Sequence, residues 1–243
     1  MALHTDRRGR RISSQRHAFT LIETALATVI VGVGVLASIE ANTSFLQKNA
    51  WSTNTSTATF LANELREMMR RFPRHDRFTG GLYFEDPVAH TGFQGWGPET
   101  NEILVDPVTL AITGIDFDDL DDFDGALFGN ATTTLPFTQR FDGPIDAFGQ
   151  LINQMNWTGD LAMDADGQTF SMTEWSQLVR VEKVDFNDFT MTLPDAQFTP
   201  SGPGVPEVEV DEFPLRVTVT VLYQGPLDDA ASEVATVSWI APP

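Results

Sequence analysis

The chain contains no cysteine, so disulfides, thiol nucleophiles, zinc–thiolate sites and iron–sulfur clusters are all excluded. Histidine is nearly as scarce. Of the four, His4 and His17 fall in the first 17 residues, leaving His75 and His90 for any acid–base chemistry. Basic residues are few as well: 15 Lys and Arg stand against 34 Asp and Glu, a formal net charge of -19. Phosphate backbones are held by clustered Lys and Arg, so this surface argues against a nucleic-acid partner. Nucleophile elbows, phosphate loops, HExxH helices and glycine-rich dinucleotide fingerprints are also missing. Together these absences predict a protein that is not an enzyme.

What is present begins with charge of the opposite sign. Arg7, Arg8, Arg10, Arg11 and Arg16 crowd residues 1–17 against the single acid Asp6. An apolar run extends from Phe19 to Ile39, interrupted by one carboxylate, Glu23. Twenty-one residues in a helix rise about 31 Å, which matches a bilayer core of about 30 Å. The arginines beside it hold residues 1–18 on the cytoplasmic side and place residues 40–243 outside. A carboxylate inside such a run costs about 2.5–3.5 kcal/mol on insertion scales, so it needs a partner. A secretory signal cut near Val35-Leu36-Ala37 is the competing reading, opposed by the length of the run and by Glu23.

The residues Ala18-Phe19-Thr20-Leu21-Ile22-Glu23, between the arginines and the apolar run, resemble the cleavage and methylation motif of type IV prepilins and type II secretion pseudopilins. The resemblance covers roughly residues 7–40. It implies that a prepilin peptidase cuts between Ala18 and Phe19 and N-methylates Phe19. It implies also that Glu23, then fifth in the mature chain, pairs with the amino terminus of a neighbouring pilin or pseudopilin subunit during assembly. The family mostly has Gly before the cut; Ala18 departs from that and predicts slower cleavage. Implied partners are the peptidase, other subunits met through the N-terminal helix, and an inner-membrane assembly platform. The implied location is the bacterial inner membrane and then a pilus or pseudopilus. Removing the leader takes five of the 15 bases and one of the 34 acids, leaving a mature chain at -23.

Beyond the membrane run, Glu40 to Phe72 lacks Pro and Gly. Ala58, Leu61, Leu65, Met68, Met69 and Phe72 recur at steps of three and four, so the helix is predicted to continue to residue 72 and to stop at Pro73. The weak helix formers at 52–59 predict a bend. Residues 73–243 read as an acidic α+β head in which an antiparallel sheet covers the soluble half of a long N-terminal helix, as in type IV pilins. Leu178–Val184 and Phe189–Leu193 are predicted strands around an Asn187-Asp188 turn. Leu215 to Tyr223 alternates apolar and polar residues, and Val234–Ile240 returns beside it. Residues 113–172 are expected to form an irregular insertion lying over the sheet. The order of loops, a strand near Trp175 to Val184 and a closing hairpin also resembles minor pilins of the mannose-sensitive haemagglutinin type.

Asp116 to Gly125 packs six aspartates into ten residues, interleaved with Phe117, Leu120 and Phe123. Asp118, Asp119, Asp121, Asp122 and Asp124 are candidate oxygen ligands for calcium, which takes six to eight. The simpler reading is an amphipathic turn with the rings anchored and the acids in water. Asp164-Ala165-Asp166-Gly167 with Glu174 departs from an EF-hand loop, since Ala162 occupies the first ligand position; a surface turn is expected. Arg74, His75, Asp76 and Arg77 read as a solvated corner after the helix. Two functions are therefore open: a filament subunit, or a membrane-anchored acidic binding module for calcium, a polymer or an exported protein.

Overall fold

The computed structural model describes residues 20–76, 81–100, 102–105, 112–131, 139–156, 158–163 and 165–243. Ala18 and Phe19, the predicted cleavage pair, lie outside them. The chain divides into two compact units, Met1–Trp51 and Ser52–Pro243.

The described part of the first unit is helical. Helix α1 spans Leu21–Met69, 49 residues, and keeps helical hydrogen bonding through 52–59, the stretch whose composition predicts a bend. It begins on a capping box. The Thr20 amide donates to Glu23 Oε2 at 2.8 Å, and the Glu23 amide approaches Thr20 Oγ1 at 3.4 Å. Two of the donors orphaned at a helix start are satisfied in this way. Thr24, Thr28 and Ser38 turn their hydroxyls back onto carbonyls three or four residues earlier, so the apolar stretch presents few free polar groups. Leu21, Ile22, Leu26, Ile30 and Leu36 are exposed. This N-terminal helix is long and apolar enough to cross a membrane.

In the second unit the last turns of α1 bury one face. Ala58, Leu61, Ala62, Leu65 and Met69 are wholly inaccessible, at the helical spacing the sequence shows. The helix ends three residues before the expected Phe72. The Arg71 and Phe72 amides make i−3 bonds to Met68 and Met69, and Pro73 prevents a further turn.

With α1 the fold is α+β, and the strands that follow are mostly antiparallel. Hairpin β1 (Tyr83–Asp86) and β2 (Thr91–Gln94) form one two-stranded sheet, and β3 (Ile103–Val105) with β4 (Ile112–Ile115) another. The main sheet holds β5 (Ala126–Gly129), β6 (Gln139–Phe141), β7 (Trp175–Lys183), β8 (Leu215–Tyr223) and β9 (Ser232–Ala241) in the order β6-β5-β7-β8-β9. Only the β5–β6 pair is parallel among the described strands. Alternation in β8 puts Leu215, Val217, Val219 and Val221 on the face that joins Leu61 and Leu65 in the main core. The other face carries a small cluster of Leu127, Ala131, Leu178 and Leu222.

Two expectations are corrected here. The segment 113–172 is not irregular throughout: it supplies β5 and β6 and sets β5 directly against β7, while its described residues from 142 to 172 carry only turns and isolated bridges. The four- and three-residue lengths of β5 and β6 leave too little periodicity to read. Phe189–Leu193 is not a strand but a turn-rich segment with one bridge, Val184 to Thr192. That bridge lies on the edge of β7 away from β8: the Leu193 amide donates to the Lys183 carbonyl, while the Val184 amide donates to the Pro214 carbonyl just before β8, whose pairing with β7 runs over nine positions.

Candidate metal centre

The acidic run folds as a tight turn. Leu120–Phe123 forms a single 3-10 turn at Asp121–Phe123, and Phe123 is buried against Phe72 and stacked on Phe117 at 4.2 Å between centroids. Those rings anchor the segment, as the amphipathic reading expects. Three of the six acids, however, are not in water: Asp119, Asp121 and Asp122 are at most 2 % exposed, while Asp116 and Asp118 are exposed as that reading expects. Anchoring three apolar residues in a ten-residue turn drags the intervening carboxylates under the surface with them.

Three groups of metal-ligating side chains result, each with ligand atoms within 4.8 Å of one another: His75 with Asp119 and Asp121, Asp76 with Glu102 and Asp118, and Glu99 with Glu102 and Asp122. Four of the five sequence candidates, Asp118, Asp119, Asp121 and Asp122, fall in these groups. Asp124 does not, which corrects the fifth: its Oδ1 accepts the Val181 amide at 3.0 Å and faces Arg180 at 3.8 Å. It is tied to β7 instead.

The three groups differ in how far they are satisfied. In the first, His75 Nδ1 meets Asp121 Oδ1 at 2.8 Å, Asp121 Oδ2 accepts the Gly97 amide, and Asp119 Oδ1 accepts the Asp121 and Asp122 amides. Burial, with the positive charges of Arg74 and Lys183, pushes His75 down to about 3, so the imidazole is neutral and donates from Nδ1. Burial and the neighbouring Asp121 push Asp119 up to about 9, and burial lifts Asp121 to about 7. The hydrogen bonds engage both carboxylates of this group and leave His75 Nε2 as its one buried atom without a partner. The second contains Asp118, which is exposed and whose carboxyl is raised by burial and by Glu102.

The third group is open. Asp122 Oδ2 accepts the Asp118 and Asp119 amides, and Glu102 Oε2 accepts the Glu99 amide at 2.8 Å. The remaining oxygens, Asp122 Oδ1, Glu102 Oε1 and Glu99 Oε2, are buried and have no hydrogen-bond partner. Burial pushes Asp122 up to about 7 and Glu99 up to about 8, with Asp119 and Glu102 respectively adding repulsion. Two ionised carboxylates within 4.8 Å repel by about 3 kcal/mol or more at an effective dielectric of 20. Asp122 and Glu99 thus favour a proton, or a cation close by, over two bare charges.

A buried lysine stands beside this region. Lys183, at the end of β7, is wholly inaccessible and donates from Nζ to the carbonyls of Asp195 and Val210. The rings of Phe93, Trp96 and Phe213 lie 5.6–5.9 Å from it. Burial lowers it to about 8. Its hydrogen bonds go to these carbonyls and not to the acid trio.

Sequence reasoning missed Glu99, Glu102 and Lys183, and placed His75 and Asp76 in a solvated corner. A glutamate pair at i and i+3 in a Pro-Glu-Thr-Asn-Glu turn is the one local signal available, and it does not point to residues 118–122. The Arg74 corner is likewise interior: Arg74 donates to the carbonyls of Asp211 and Phe213, while His75 and Asp76 are buried. Arg77 and Asp164 lie outside the described residues, Asp166 is exposed as expected of a surface turn, and Glu174 accepts the Tyr223 hydroxyl.

Comparison of the chain with protein-family models, with curated proteins and with solved structures finds no match in any of the three. The fold and the acid geometry are thus the whole structural basis for a functional reading.

Proposed function

We propose that this chain is a structural subunit of a type IV pilus-like or type II secretion-like filament, a minor pilin or pseudopilin with no chemistry of its own. Its leader is cut between Ala18 and Phe19, Phe19 is methylated, and the apolar part of α1 holds the subunit in the inner membrane until it packs among its neighbours. The observation that carries this reading is Glu23, the one carboxylate in an exposed apolar helical stretch from Leu21 to Ile39. In the single chain its carboxylate is held by Thr20. That partner is local and exposed, so an incoming amino terminus can replace it; ion pairing then offsets the cost of leaving a charge in an apolar packing. The α+β head agrees with the same class.

Mass spectrometry of the mature amino terminus tests it. The expected species begins at N-methyl-Phe19. A chain that retains residues 1–18, or one trimmed after Ala37, overturns it.

A second reading, an anchored acidic head that binds calcium, is favoured by the buried oxygens without partners at Glu99, Glu102 and Asp122. Oxygen-only donors suit a hard cation. Addition of calcium to the purified full chain should raise its unfolding temperature; no change sinks this second reading and leaves the first untouched.

A further inference from the structure

We infer that Glu99, Glu102 and Asp122 form one divalent-cation site that clamps the Glu99–Glu102 turn onto the Asp121–Phe123 turn. This inference rests on the second reading above and assigns its ligands. Two observations converge on the trio. Its ligand atoms lie within 4.8 Å of one another, and each of its three carboxylates keeps one buried oxygen without a hydrogen-bond partner. Glu102 is 5 % exposed and Asp122 is wholly buried, so water does not make good those vacant acceptors as it would at a surface. No ion pair among the described residues reaches them.

The half-satisfied state of these carboxylates is what makes the arrangement a site. Glu102 Oε2 is fixed by the Glu99 amide and Asp122 Oδ2 by the Asp118 and Asp119 amides. One oxygen of each of these two side chains is thus locked by backbone, and the other is left available for a ligand. Ligand carboxylates held by outer hydrogen bonds are what gives a metal site its affinity. The Glu102 carbonyl accepts the Asp116 amide at 3.0 Å, so the backbone already joins the two segments at a second point.

The donor set selects the ion. Three carboxylates without histidine or sulfur suit calcium, whose flexible shell is completed by backbone carbonyls and a little water. Magnesium, which sheds water reluctantly, suits a buried trio less well. The neighbouring His75 group leaves fewer vacant atoms: its carboxylates are engaged with His75, Gly97 and their own turn, and its one buried atom without a partner is the nitrogen His75 Nε2, a poorer donor for calcium than oxygen.

The test uses the purified full chain in detergent, stripped with chelator and titrated with calcium chloride. Readouts are the unfolding temperature and tryptophan-sensitised terbium luminescence with its displacement by calcium. The variants are Glu102→Gln, Asp122→Asn, Glu99→Gln and, as control, Asp124→Asn. Wild type and Asp124→Asn are expected to bind alike, while each trio variant weakens calcium at least about tenfold. The metal-free trio variants should melt no lower than metal-free wild type, since each removes one repelling charge; this separates loss of binding from failure to fold. Glu99→Gln, on the half-buried member, serves if either buried variant does not fold. Calcium binding that survives all three trio substitutions overturns this assignment and leaves the second reading standing. No calcium effect on wild type overturns both.

Discussion

Gln177, near the start of β7, reaches off the sheet and donates from Nε2 to the Leu61 carbonyl of α1 at 2.8 Å. The same amide donates to the Ile145 carbonyl and accepts the Ile145 amide through Oε1. A wholly buried side chain thus joins three segments that are far apart in sequence. Replacing Gln177 with Leu keeps the volume but orphans the Ile145 amide and carbonyl. Stability of the full chain in detergent should fall by about 2–4 kcal/mol in urea titrations. A loss under about 0.5 kcal/mol would mean the amide is dispensable packing.

The pH dependence of the metal-free protein is set by the buried acids. Asp119 titrates near 9 and Asp121 and Asp122 near 7 in the folded chain, against 3.8 unfolded. Between about pH 4 and those values the folded state keeps protons that the unfolded state has released, so stability falls as pH rises. His75 acts in the opposite sense: folded near 3 against 6.5, it withdraws stability as pH drops through that window. Three acids outweigh one imidazole, and above about pH 6.5 the imidazole contributes no further slope. In chelator the urea midpoint should be lower at pH 8 than at pH 5, and calcium should restore part of it at pH 8. An equal or higher midpoint at pH 8 in chelator would show that the carboxyls are ionised without penalty.

Gly95 holds the turn that brings Gly97 to Asp121. Its φ is +88°, and a Cβ there would lie 2.1 Å from the Gly81 carbonyl oxygen. Gly95→Ala should destabilise the chain by more than about 2 kcal/mol, from left-handed strain and a backbone collision together. Gly167, also at positive φ but with open space around it, is the comparison: Gly167→Ala meets the strain alone and should cost about 1 kcal/mol. Equal losses at the two positions would mean that the Gly81 contact relaxes freely.

Glu23→Ala removes the acid from the apolar run without touching the head. The variant should be cut after Ala18 and accumulate in membranes, yet enter filaments roughly tenfold less than wild type, the effect of losing about 1.4 kcal/mol of pairing. Quantitative immunoblots of sheared filaments against membranes read this directly. Normal incorporation would remove the main support for the filament reading.

Much of the architecture is legible in the sequence because it repeats. The 3.6 spacing of Ala58, Leu61 and Leu65 and the alternation of Leu215 to Tyr223 are periodic over many residues, so the helix face and the β8–β9 hairpin can be read directly. Short β5 and β6 offer no such average, and the place of β5 beside β7 depends on contacts some 50 residues apart. The acid run is visible, but its reading as solvated is wrong in one respect: Phe123 takes its neighbours inside.

The sequence alone determined a basic stretch over residues 1–17, an apolar helix carrying one acid, and an acidic region of alternating strands after it, because charge and hydrophobic period are local properties. Only the tertiary structure decided which carboxylates meet. Glu99 and Glu102 come to Asp122 because a buried phenylalanine and a glycine turn pull two separate loops together, and no pattern along the chain records a distance in space.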